Sequence, residues 1–160
     1  MKVKTVKQSV ERVRAALSNA GVDVRITEFA ESTRTAEDAA RAIGTLVGQI
    51  VKSLVFASDK GPVLSLISGT NRLDPIKLRN LCGCAVERAD VQYVREHTGY
   101  AIGGVPPLGH ATQMQTYIDR DLLQYDTVWA AAGTPHAVFS IAPDVLVQIT
   151  NATVADIAEE

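Results

Sequence analysis

The chain has 160 residues, a length that suits one domain with one core rather than two. Apolar residues make up 46% and charged residues 21%, and no segment joins low hydrophobicity to a charge excess, so disorder is excluded. No stretch approaches the ~20 consecutive apolar residues of a membrane helix. Sixteen basic against 18 acidic residues give a formal charge of −2, without the basic surplus of a protein that grips nucleic acid unaided.

The basic start Met1-Lys2-Val3-Lys4-Thr5-Val6-Lys7 runs into an amphipathic pattern rather than an apolar signal-peptide core, which leads us to expect a cytoplasmic protein. Val6, Val10, Val13, Leu17 and Ala20 recur at helical spacing, and Gly21 stops the helix. Val22, Val24 and Ile26 alternate with polar residues and predict a half-buried strand running to Phe29. The polar loop Ser32-Thr33-Arg34-Thr35 follows. Thr35, three residues before Asp38, is a candidate N-cap for a helix through Ile43, closed by Gly44. The segment from Ile50 to Phe56 is strongly β-forming. Asp59-Lys60-Gly61 turns the chain, and the run from Pro62 to Ile67 returns as the partner strand.

Asp74-Pro75 opens a helix that runs to about Leu81, where Gly83 breaks it. A further short helix is expected from Ala89 to His97, ended by Gly99. A loop rich in glycine and proline reaches Gly109. Strands are expected at Met114–Ile118, Thr127–Ala131 and Ala137–Ile141, and Pro143 opens a last helix through Ile149. The end, from Val154 to Glu160, reads as short and polar. Without repeats or linkers, residues 1–160 read as one domain. Its fold class is α+β, a mixed and largely antiparallel twisted sheet flanked by helices.

Three places can carry chemistry. Lys52 sits inside an apolar strand, where a buried ammonium costs several kcal/mol unless it is paired or reaches water. Either simple alternation turns it to solvent, or it points into a cleft to meet phosphate or polarise a substrate. The segment from Thr98 to His110 holds Gly99, Gly103, Gly104, Gly109, Pro106 and Pro107. Such a loop brings backbone close to a ligand, and its N–H groups can stabilise an oxyanion. Its composition also suits a tight structural turn. The third place is Gly133-Thr134-Pro135-His136, where His136 is either a general base, a ribose or water positioner, or a loop histidine satisfied by its neighbours.

Other chemistry is missing from the sequence. There is no Gly-x-Ser-x-Gly elbow, phosphate loop or dinucleotide fingerprint. His97, His110 and His136 lack the spacing of a zinc site. Cys82 and Cys84, one residue apart, form neither a disulfide framework nor a convincing ligand pair. No metal and no cofactor is therefore expected. A local basic patch built from Lys2, Lys4 and Lys7, or from Arg72, Lys77 and Arg79, would be needed to hold RNA. Scattered solvated charge explains the same residues.

Taken in order, Val51-Lys52-Ser53-Leu54, Thr98-Gly99-Tyr100, the run from Gly103 to Gly109, Ile118-Asp119 and Gly133 resemble the YbaK family, also called the prolyl-tRNA synthetase-associated editing domain family. The resemblance spans nearly the whole chain. It implies a metal-free, cofactor-free enzyme that hydrolyses the ester of mischarged tRNA in trans, without a covalent nucleophile. The implied partners are the aminoacylated 3′ end of tRNA and an aminoacyl-tRNA synthetase, with neither DNA nor a membrane among them.

By the same resemblance Lys52 engages the terminal adenosine or its phosphate. The element from Gly103 through Gly104, Val105 and Pro106 to Pro107 contacts the aminoacyl carbonyl. Phe29, Thr33 and Thr35 build part of the amino-acid pocket. Gly133 and Thr134 lead to His136, which is near the position of a histidine used by alanine-editing members. The cysteine-removing branch carries an acidic residue in the segment matching Ala137–Ile141. This chain has Ala137, Val138, Phe139 and Ser140 there, which favours a small amino acid such as alanine or serine. A non-catalytic module that binds tRNA or a synthetase is the competing expectation, and a small-molecule ester hydrolase is a third.

Overall fold

The computed structural model of the chain describes residues 6–160, with side chains from Gln8 onward. Lys2 and Lys4 fall outside the described residues, as does the side chain of Lys7. The elements follow in the order α1 (Val6–Asn19), β1 (Ile26–Glu28), α2 (Ala36–Ile43), β2 (Ile50–Ser58), β3 (Gly61–Ser68), α3 (Pro75–Cys82), β4 (Val86–Arg88), α4 (Val91–Thr98), β5 (Gln115–Asp119), β6 (Val128–Ala131), β7 (Ala137–Ile141), α5 (Pro143–Thr150) and β8 (Thr153–Ala155). Short 3-10 turns at Val47–Gln49 and Arg120–Gln124 complete the path.

Local chemistry accounts for most of these boundaries. Thr35 accepts a hydrogen bond from the Asp38 N–H at the start of α2, Asp74 caps α3 ahead of Pro75, and Asp90 caps α4 through the Tyr93 N–H. One mixed α+β sheet joins the strands in the order β1-β7-β6-β2-β3-β5-β8, with β4 added to β2. Four pairings are antiparallel and three are parallel.

The helices cover both faces. Val10, Val13 and Leu17 of α1, Val94 of α4 and Leu146 of α5 pack on the face that carries Val51, Val55, Leu64, Leu66 and Phe139. On the other face the alanines of α2 sit on Ile50, and Leu78 of α3 joins Phe56, Ile67 and Tyr117.

The central strand β2 holds the key to the site. One edge pairs with β3 along its whole length, from Val51↔Ser68 to Ser58↔Gly61. The other edge is shared. The strand β6 takes Ile50 and Val51, and β4 takes Phe56, Ala57 and Ser58. The Val55 carbonyl accepts from the Ala89 N–H at 3.2 Å. Lys52, Ser53 and Leu54 are left with no strand beside them on that edge, so the sheet has an opening in its middle.

Three expectations change. The strand expected over Val22–Phe29 is confined to Ile26–Glu28. In its register with β7, Val22 would fall opposite Pro143, where α5 begins, and both Val22 and Val24 pack on the core without joining the ladder. The short β4, with its charged Glu87 and Arg88, has no apolar periodicity and exists only through its pairing with β2. Finally, the chain's end is not merely polar. Strand β8 pairs with β5, Ile157 is fully buried, and its carbonyl accepts from the Asp74 N–H at 2.8 Å. Ile157→Ala should therefore cost about 2–5 kcal/mol, as for other buried aliphatic truncations, and is checked by urea unfolding.

Candidate active site in a split of the sheet

The opening beside β2 is the floor of a cleft of about 130 Å³. Thr33, Arg34 and Thr35 come from the loop before α2, Lys52 and Ser53 from β2, Gly103 and Val105 from the glycine loop, and Ala130 and Ala131 from β6. A smaller recess of about 60 Å³ shares Ser53, Gly103 and Val105 and extends toward Arg88, Ala89 and Val94. Its walls are mostly apolar.

Lys52 lies on the face of β2 shared by Ile50, Leu54 and Phe56, between the apolar cluster under α2 and that under α3. Its stem can rest on apolar surface while its ammonium reaches out of it. The Nζ donates to the Asn71 carbonyl at 2.5 Å, at the turn that follows β3. Burial pulls the Lys52 pKa below the usual lysine value. Glu37 and Asp119 oppose that fall, while Arg72 and Arg88 reinforce it. Lys52 is thus half-buried at the cleft and not a solvated surface lysine.

The glycine loop is held at both ends. The Thr98 hydroxyl donates to the Val94 carbonyl at 2.6 Å, and the Tyr100 hydroxyl, on a buried ring, donates to the Gly109 carbonyl at 3.1 Å. The Arg12 guanidinium lies 4.6 Å from the centre of that ring and donates to the Gly99 carbonyl. His110 Nε2 lies 2.6 Å from the Pro106 carbonyl oxygen, an acceptor, so this nitrogen carries the proton. Gly103 has φ +90°, a backbone conformation that disfavours side chains, and the Arg34 stem lies over it. Gly104 meets the Thr134 backbone so closely that an added Cβ would stand 2.6 Å from the Thr134 Cα.

That contact joins the glycine loop to the turn of Gly133, Thr134, Pro135 and His136. Thr33 donates to the Pro135 carbonyl from both its backbone N–H and, at 3.0 Å, its hydroxyl. His136 Nδ1 lies 3.0 Å from the Glu31 carbonyl oxygen, an acceptor, so Nδ1 carries a proton and donates it. The Phe29 N–H donates to the His136 carbonyl at 2.7 Å.

Among the residues singled out in the sequence, Lys52, Thr33, Thr35, Gly103 and Val105 meet in the cleft. Gly104, Gly133, Thr134, His136 and Phe29 are not among its lining residues; Gly133, Thr134 and His136 belong to the turn that Gly104 and Phe29 contact. Pro106 is buried and engaged by His110, and Pro107 lines a separate surface hollow. Lys77 is no part of a free basic patch, because it pairs with Asp156 at 3.0 Å.

Sequence reasoning missed Ser53, whose buried Oγ has no hydrogen-bond partner and which borders both cavities. A polar residue at a core-facing strand position was the available signal. Arg34 and Ile102 at the cleft were missed as ordinary loop residues. Among the described residues, no three His, Cys, Asp or Glu side chains gather as a metal site, and no helix is long and apolar enough to cross a membrane. Gly104→Ala should cost about 1–3 kcal/mol through crowding against the Thr134 backbone, read as a lowered urea midpoint.

Known proteins resemble this chain in sequence and in fold. The model of the aminoacyl-tRNA editing domain matches residues 30–149. EbsC of Enterococcus faecalis, described as a proposed Cys-tRNA(Pro)/Cys-tRNA(Cys) deacylase, is 34% identical over 134 residues, covering 81% of this chain and 82% of that protein. A proline–tRNA ligase of Citrifermentans bemidjiense is 38% identical over 90 residues, which are 56% of this chain and 16% of the ligase. A solved structure described as that of a proposed trans-editing enzyme for prolyl tRNA synthetase superposes with a TM-score of 0.93 at 50% identity, covering 98% of this chain and 100% of that one. With three quarters of its length matched by the family model and a solved relative superposing over 98% of it, the chain belongs to the aminoacyl-tRNA editing domain family.

Proposed function

We propose that the protein is a metal-independent deacylase that removes a small amino acid, alanine or serine, from mischarged tRNA. The observation that carries this reading is the Lys52 ammonium, held at an opening of the sheet in a cleft that Gly103 also lines. In this reading the ammonium meets the terminal adenosine or its phosphate, and the loop N–H groups receive the negative charge that develops on the carbonyl oxygen. Water adds to the carbonyl carbon, the bond to the ribose oxygen breaks, and that oxygen takes up a proton. An aminoacyl ester is already reactive, so placement and oxyanion stabilisation supply the acceleration. His136, outside the cleft lining and with Nδ1 committed to Glu31, keeps Nε2 for positioning water or a ribose hydroxyl in this reading.

The size of the cleft supports a small side chain. Val138 stands at its wall in the segment where cysteine-removing relatives carry an acid, and no carboxylate is among the lining residues. The unpartnered Ser53 hydroxyl offers a hydrogen bond to an amino or hydroxyl group of the substrate. EbsC is described for Cys-tRNA, so the amino acid is the point to test. The proline–tRNA ligase match makes tRNA(Pro) the first carrier to try and a prolyl-tRNA synthetase the partner to add.

Purified protein with EDTA should release alanine or serine from mischarged tRNA(Pro) and spare Cys-tRNA. Lys52→Ala should lower kcat/KM about 10²–10³-fold. Release of cysteine alone would reverse the assignment of substrate, and no release from any tRNA would favour a binding module. Because burial lowers the Lys52 pKa, its ammonium is lost at lower pH than that of an ordinary lysine. The enzymatic rate, corrected for spontaneous ester hydrolysis, should accordingly fall on the alkaline side before a solvated lysine would titrate.

A further inference from the structure

Asp119 ends β5 with a carboxylate only 1% exposed, yet its hydrogen-bonded contacts are neutral donors and not a cation. Its Oδ2 accepts from the Ser68 N–H at 3.1 Å and from Asn71 Nδ2 at 2.8 Å, and its Oδ1 accepts from the Asp121 N–H at 2.9 Å. A buried carboxylate is costly unless its acceptor sites are filled, and here they are. Two of these donors belong to one short turn, from Ser68 to Asn71, which a bond from the Asn71 N–H to the Ser68 carbonyl closes at 2.9 Å. Asn71 spends its second amide proton on Asp121 Oδ2, also at 2.8 Å. Both protons of the Asn71 amide are therefore tied down, and the turn has one orientation.

That orientation aims the Asn71 main-chain carbonyl at Lys52 Nζ. Among the described residues, no carboxylate lies within ion-pairing distance of this ammonium. A carbonyl anchor takes one of its three N–H donors and leaves its charge unneutralised by contact. Resting on the reading of Lys52 given above, we infer that Asp119 is a positioning residue for editing: through Asn71 it holds the Lys52 ammonium at the cleft with two N–H donors free for an anionic or carbonyl group of the substrate. The negative charge of Asp119 also favours the charged lysine from a distance. It acts alongside Glu37 of α2 and against Arg72, after β3, and Arg88 of β4.

The test uses Asp119→Asn and Asn71→Ala in the full chain, with near-ultraviolet circular dichroism to verify folding. The first readout needs no substrate. The rate at which acetic anhydride acetylates Lys52 is followed against pH by mass spectrometry. An anion and a well-placed hydrogen-bond acceptor each favour the ammonium, so removing the Asp119 charge, or releasing the turn that aims the Asn71 carbonyl, should move the onset of Lys52 labelling to lower pH, by about one unit for Asp119→Asn. The second readout is deacylation, where kcat should fall about 10–100-fold with KM little changed. Should Asp119→Asn fail to fold, Asn71→Ala, at a part-exposed site, carries both measurements. A folded variant whose labelling profile coincides with that of wild type overturns the inference, as does an unchanged kcat. Wild-type protein that deacylates no tRNA would sink the reading of Lys52 as an editing residue, while the labelling arm still decides whether Asp119 governs Lys52.

Discussion

The site depends on the way β2 shares one edge between two partners. A strand in the middle of a sheet normally has both edges filled, because unpaired backbone N–H and C=O groups are costly when buried. Here β6 runs parallel to β2 for two residues and β4 pairs with its far end, so Lys52, Ser53 and Leu54 face a space and not a strand. The glycine loop comes to this opening, and its close contact with the Thr134 turn requires a residue without a side chain at position 104. The hydrogen bonds that hold Tyr100, His110, Thr33 and His136 read most simply as supports for that arrangement.

Much of this was legible in the sequence where the signal was local. Capping by Thr35 and Asp74, the hairpin of β2 with β3, the strand at Ala137–Ile141 and the helix opened by Pro143 all follow from residues adjacent in the chain. What stayed hidden was non-local. Strand β4 is three residues long and partly charged, so only its partner makes it a strand. Ile157 reads as one apolar residue in a polar tail, and its burial comes from the β5 edge and the loop before α3.

The candidate site divides in the same way. Lys52 and the glycine loop stood out because their residue types clash with, or are rare in, their surroundings. The resemblance of their order to a known family gave them a shared purpose. Whether Lys52 faced water or a cleft was beyond alternation to decide, since both faces of β2 are covered by helices. Asn71 reaches Lys52 through a main-chain carbonyl, a group every residue has, so no residue type could have announced that contact. Nothing in the type of Ser53 announces that its hydroxyl is enclosed without a partner, as it is here.

The opening in the sheet also bears on self-association. An eight-stranded sheet invites another chain to add a strand wherever backbone is left unpaired. Both outer edges are blunted by brevity, for β1 and β8 have three residues each, and β1 ends in Glu28. The free edge of β4 is equally short and carries Glu87 and Arg88, whereas the unpaired stretch of β2 is internal. The Val55 carbonyl points toward β4, so by the alternation of a strand the Ser53 N–H and C=O turn the same way, into the cleft. The glycine loop and Arg34 line the same cleft and stand between these groups and a neighbouring sheet edge. The fold thus places an unpaired stretch of a central strand on the inside of the sheet, at the floor of the cleft.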